Sequence, residues 1–212
     1  MTPRTTERFV IAGPAGALEL VVNPPAHAPC GIALVAHPNP VQGGTLDNKV
    51  AQTLARTFHG LGYASVRFNF RGAGRSEGVF DHGLGETDDA LAALAHARDR
   101  FGLALPVVLA GFSFGSYVQS RVAQRLSAQR MVLVGAAVGR FPVEAVAGDT
   151  IVIHGEEDDV VPLADVFAWA RPQALPIVVF PGCGHFFHGR LAQLAATIAG
   201  MWHGRPPVIP GA

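Results

Sequence analysis

The sequence predicts an α/β fold, a doubly wound and mostly parallel sheet with an antiparallel N-terminal edge. Three observations carry that prediction. Short β-rich runs alternate with longer helical patterns along most of the chain. The middle runs, Ile32-Ala33-Leu34-Val35 and Val107-Val108-Leu109-Ala110, are apolar without alternation, as strands covered by helices on both faces must be. The first two strand candidates lie too close together for a crossover helix and read as an edge hairpin.

Phe9–Ala12 and Leu18–Asn23 form that hairpin, and Gly31–Ala36 enters the sheet interior. Asp47 is placed to cap a helix reaching Leu61, with Val50, Leu54, Phe58 and Leu61 on one face. Tyr63–Phe68 follows as a strand. Glu86 to Arg100 is predicted helical, its acids in the first turn and its arginines near the end matching the helix dipole. Val107–Ala110, Met131–Val134, Thr150–His154 and Leu175–Phe180 complete the strands. Helices are predicted over Gly115–Leu126, Leu163–Ala170 and His188–Met201.

Composition narrows the function classes. The 212 residues carry 16 Lys and Arg against 16 Asp and Glu, so the formal net charge is zero. A neutral chain lacks the basic field that a nucleic-acid or anionic-membrane partner requires. The longest apolar runs reach about eight residues where a spanning helix needs about 20, so no membrane span is expected. With 49% hydrophobic and only 15% charged residues, a large core is implied. That length and composition suit one domain, residues 1–204, followed by a proline-rich tail, 205–212. No apolar run follows the charges of the first eight residues, so no secretory signal is expected there. Two cysteines, Cys30 and Cys183, cannot by themselves build a disulfide framework or a zinc site, and a reducing cytoplasm is the expectation.

The chemistry concentrates after three strand ends. Gly111-Phe112-Ser113-Phe114-Gly115 joins a strand to a helix through a turn too tight for Cβ atoms two residues either side of its apex. Such an elbow lifts the Ser113 hydroxyl above the sheet and turns the Phe114 amide toward an incoming carbonyl oxygen. A serine hydroxyl is a poor nucleophile until a base takes its proton, and the base needs an orienting acid. His185, in the glycine-rich Pro181-Gly182-Cys183-Gly184-His185, is the favoured base, with His188 as its competitor or as a polar wall. The acid comes from Glu156-Glu157-Asp158-Asp159; Asp158 is the first candidate and Asp159 the second. Cys183 is not on an elbow, and Arg71-Gly-Ala-Gly-Arg-Ser76 lacks the Lys of a phosphate loop, so both read as structural.

The order Ser113, Asp158, His185 resembles that of the α/β-hydrolases, and the chain is similar to the small lidless bacterial serine hydrolases of esterase type. Three further blocks carry the resemblance: Ala36-His37-Pro38-Asn39-Pro40 with Gly43-Gly44 and Asn48-Lys49; Arg67 to Ser76; and His185-Phe186-Phe187-His188-Gly189. The resemblance implies a nucleophile at Ser113, an acid at Asp158, a base at His185, and an oxyanion hole from the Phe114 and Asn39 amides. The residues agree on Asn39. Pro38 and Pro40 have no N–H, so Asn39 is the only donor between them and is held stiffly. Where many relatives have His-Gly, this chain has His37-Pro38.

These readings amount to an expected serine hydrolase that cleaves an ester-like bond of a small-molecule substrate through an acyl-enzyme, with no metal or organic cofactor. A thioesterase or acyltransferase using the same triad, or a binding protein on this fold, is the alternative. No connection is long enough for a cap, so an open site walled by Phe112, Phe114, Phe186, Phe187 and His188 is expected, suited to short acyl groups. The oligomeric state is not written in the sequence.

Overall fold

A computed structural model describes residues 6–203 of the chain. The predicted proline-rich tail lies outside the described residues. Eight strands form one sheet: β1 (Glu7–Gly13), β2 (Gly16–Asn23), β3 (Ile32–Ala36), β4 (Ala64–Phe68), β5 (Val107–Phe112), β6 (Arg130–Val134), β7 (Ile151–Gly155) and β8 (Ile177–Phe180). Their order is β1-β2-β4-β3-β5-β6-β7-β8. β1 and β2 pair as the expected antiparallel hairpin, β2 also runs antiparallel to β4, and the other pairs are parallel.

Five helices cover this sheet: α1 (Lys49–Gly60), α2 (Leu84–Phe101), α3 (Phe114–Ala123), α4 (Leu163–Ala170) and α5 (Leu191–His203). Successive strand residues point to opposite faces, so β3 sends Ile32, Leu34 and Ala36 into one apolar layer and Ala33 and Val35 into the other. The first layer packs against α2, α3 and α4, and the second against α1 and α5. Every residue of β3, β4, β5 and β7 is buried, which is why the central runs show no polar alternation.

Element ends differ from the sequence-based expectation for local reasons. α1 is capped by Asn48 rather than Asp47. The Asn48 carboxamide oxygen accepts the Val50 and Ala51 amides at 2.9 and 3.2 Å, while Asp47 is exposed and pairs with Arg8 at 2.6 Å. β8 starts at Ile177 because the Leu175 amide turns back to the Ala170 carbonyl and Pro176 has no N–H to give to a ladder. α5 starts at Leu191, which leaves His188 in the preceding turn.

From β3 the chain passes to β4 on one side, and from β4 it crosses to β5 on the other. The strand order therefore reverses between β3 and β5, and the loops leaving their carboxyl ends diverge to open a crevice. The β6–β7 connection, residues 135–150, contains no helix, so no cap folds over that crevice. Among the described residues no helix is long and apolar enough to cross a membrane.

Candidate active site

Ser113 follows β5 at the turn into α3, with φ 54° and ψ −120°. A non-glycine residue holds such a conformation only where its surroundings over-determine it. Here they do. A Cβ on Gly111 would meet the backbone of Gly115, and one on Gly115 would overlap the Ala36 carbonyl at the end of β3. The Ser113 amide donates to the Val134 carbonyl at 2.9 Å, and the Ser116 hydroxyl donates to the Gly111 carbonyl at 2.9 Å. The elbow is thus pinned from β3, from β6 and from its own helix.

The acid and base are joined. Asp158 Oδ2 accepts from His185 Nδ1 at 2.7 Å, and Oδ1 accepts the Val160 and Val161 amides at 3.0 and 2.7 Å. Both residues are buried, and Asp159 beside them is exposed, so of the two aspartates it is Asp158 that the fold sets against His185. Burial alone would push the Asp158 carboxyl up, but the bonds from His185 and the Val161 amide outweigh it and hold it below the usual carboxylate value. No hydrogen bond joins Ser113 to His185; they meet as two walls of one cavity. A nucleophile and base so placed tighten when substrate arrives.

That cavity, of about 130 Å3, is lined by Ser113, His185, Phe186, Val160, Asn39, Pro38, Gly43, Gly44, Gln42 and Asn48. Asn39 caps a short 3-10 turn, Pro40–Gln42, its side-chain oxygen accepting the Val41 amide at 3.0 Å. Among the described residues neither the Asn39 nor the Phe114 backbone amide has an acceptor, so both remain available as donors. Behind Asn39 lies the fully buried His37. Its Nε2 accepts the Phe70 amide at 3.0 Å, so Nδ1 carries the proton and donates to the Pro38 carbonyl at 2.7 Å. Burial pushes the His37 imidazole down to about 3, which keeps it neutral. Gly44 completes the support, since a Cβ there would overlap the same Pro38 carbonyl.

The expected aromatic wall is corrected. Phe186 lines the cavity and is 45% exposed, but Phe112, Phe114 and Phe187 are fully buried. Phe112 supports the His185 ring from below, with centroids 4.9 Å apart. The Phe114 ring turns into the α2–α3 layer against Phe70, Phe80 and Phe141. Phe187, at φ 52°, turns inward onto Phe180. His188 is exposed, leans on Phe186 and does not line the cavity. Gln42 and Val160, which line it, carry no local sequence signal. A second buried histidine, His154 on β7, lies 3.3 Å from Asp158 Oδ2 and also escapes a reading by motif. Cys183 is buried, and burial raises its thiol. Among the described residues no group of three or more His, Cys, Asp or Glu side chains could hold a metal ion.

Known proteins agree with this architecture. Residues 41–143 match the family model of serine aminopeptidase, S33. The uncharacterised protein RP471 of Rickettsia prowazekii is 37% identical over 113 residues, 53% of this chain and 48% of its own, so the chain spans about half the length of that relative. An α/β serine hydrolase homologue from Coxiella burnetii is 36% identical, covering 94% of this chain and 97% of its own, with a TM-score of 0.85. A lidless α/β serine hydrolase from Xanthomonas campestris is 34% identical over 99% of each chain, with a TM-score of 0.87. Two structures alike in sequence and alike from end to end leave one assignment for the strand order and the elbow: the chain belongs to the α/β-hydrolase superfamily.

Proposed function

We propose that the protein hydrolyses carboxylic esters with small or short acyl groups through an acyl-enzyme formed on Ser113. The observation that carries this reading is the 2.7 Å bond from His185 Nδ1 to Asp158, opposite a serine held at φ 54° across one cavity. With Nδ1 committed to Asp158, His185 offers Nε2 to the Ser113 hydroxyl. It takes that proton as Oγ bonds to the ester carbonyl carbon, and the oxygen that becomes negative is received by the Asn39 and Phe114 amides. Collapse of the tetrahedral adduct breaks the ester C–O bond, and His185 returns the proton to the leaving alcohol. Water then repeats the sequence to release the acid and free Ser113.

Two features favour esters with short acyl groups. The cavity is small and has no cap, which disfavours a long buried chain. No Asp or Glu is among the residues lining it, so no carboxylate waits there for the α-ammonium that an aminopeptidase must bind. Neither an organic cofactor nor a metal enters any step of this scheme, and the cytoplasm suits a free buried thiol.

The test is mass spectrometry after a fluorophosphonate probe. Native protein is expected to gain one adduct on Ser113, and heat-denatured protein and Ser113→Ala none. Ser113→Ala is also expected to lose about 10⁴-fold or more in kcat for a short ester at unchanged Tm. An adduct elsewhere, or substantial turnover by Ser113→Ala, would overturn the assignment.

A further inference from the structure

His154 is fully buried on β7, four residues before Asp158. Its Nε2 lies 2.9 Å from the Val161 carbonyl and 3.3 Å from Asp158 Oδ2, while its Nδ1 is buried with no partner. A carbonyl and an ionised carboxylate only accept, so the proton must sit on Nε2 and Nδ1 must be bare. Burial lowers the affinity of this imidazole for a second proton, against the pull of the Val161 carbonyl and Asp158.

The three residues close a ring. Val161 gives its N–H to Asp158 Oδ1 and receives His154 Nε2–H on its carbonyl, and Nε2 lies 3.3 Å from Oδ2 in electrostatic contact. Oδ2 is the oxygen that holds His185, at 2.7 Å. The Asp158 carboxylate is therefore gripped on Oδ1 by two amides and on Oδ2 by His185, with the His154 imidazole 3.3 Å from the same oxygen. One of those imidazoles moves protons in the reaction proposed above. The other has no route to substrate.

Resting on that reading of the site, we infer that His154 is a positioning residue for the triad: its Nε2–H holds the Val161 carbonyl, so that the Val161 amide and the nearby imidazole fix the Asp158 carboxylate plane and thereby the His185 ring. Its bare Nδ1 follows from this role. A buried nitrogen without a partner is costly, and a Phe or Leu would fill the space without the cost. What those residues cannot supply is an N–H for the Val161 carbonyl beside the carboxylate. A glutamine can, because its carboxamide nitrogen reaches about as far as Nε2.

The first measurement needs only the wild-type protein. Its ¹⁵N imidazole resonances near neutral pH are expected to show His154 protonated on Nε2 and bare on Nδ1; the opposite tautomer, or a doubly protonated ring, would overturn the inference without bearing on Ser113. The second uses His154→Phe and His154→Gln, each normalised to the fraction labelled by fluorophosphonate. His154→Phe is expected to lose about 10-fold in kcat with KM changed less than about 2-fold, and to shift the downfield Nδ1–H resonance of His185. His154→Gln is expected to recover most of the rate and to return that resonance. A merely structural role would lower Tm in both variants and leave kcat per labelled site, and the resonance, unchanged. Wild-type protein that takes no label would instead sink the proposed function, while the resonances still decide the role of His154.

Discussion

The two loops that face each other across Ser113 are stiffened by opposite means. On the oxyanion side, residues 37–48 are held by backbone. Two prolines, two asparagine caps and a neutral His37 with both nitrogens satisfied leave no charge beside Asn39. Charge enters only at the far end of the loop, where Arg67 donates to the Leu46 carbonyl and Asp47 pairs with Arg8. On the acid side, the chain after β7 is folded around a charge: the Asp158 carboxylate collects two amides and the His185 imidazole, with a second imidazole, His154, alongside that leaves a nitrogen bare. The first loop holds its shape whatever the site does. The second is organised around the Asp158 carboxylate, so its geometry and its chemistry hang on one group.

The sharpest way to break the acid side is Asp158→Asn, which removes the charge and keeps the volume. An Asn can present an N–H to His185 and select the wrong tautomer, so kcat/KM for a short ester is expected to fall about 10³- to 10⁴-fold. Steady-state kinetics check this, with urea unfolding to show that the fold persists. The counterpart on the oxyanion side is Gly44→Ala. Its Cβ would overlap the Pro38 carbonyl and rotate the peptide that carries the Asn39 N–H. Loss of one oxyanion donor predicts about a 10²-fold drop in kcat with KM little altered.

The smallest effect is on stability and concerns His37. The unfolded chain takes up a proton on this residue as the pH falls through 6.5, whereas the folded chain resists until about 3. The unfolded state then holds more protons, so stability is full above the first value and declines through the interval. Between about pH 7 and pH 5 this costs about 2 kcal/mol. Urea unfolding at both values is expected to show that loss in the wild type, and His37→Gln to lack this contribution to the pH dependence.

How much of this is legible in the sequence follows the same division. The elbow, the chain order of Ser113, Asp158 and His185, and the eight strands were readable because each rests on local spacing: glycines where no Cβ fits, apolar runs where both faces are covered. The direction of side chains in loops was not. Phe187 points into the core because its φ is 52°, and no composition rule reports that angle. Phe114 keeps its amide at the elbow and turns its ring to the opposite layer, so its expected place in the wall fails while its backbone stays beside Ser113. His154 reads as one more strand residue until the chain turns back and sets Asp158 beside it.

The adjacency of β3 and β5 has a consequence for how the spacings around Ser113 are set. Ala36 pairs with Gly111 in the ladder between them, so the serine and its Asn39 donor ride on one pair of bonded strands. The histidine hangs from β8, three strands away. A displacement of β7 or β8 against β6 would therefore change the spacing of His185 and Ser113, whereas the spacing of Asn39 and Ser113 is set within one ladder.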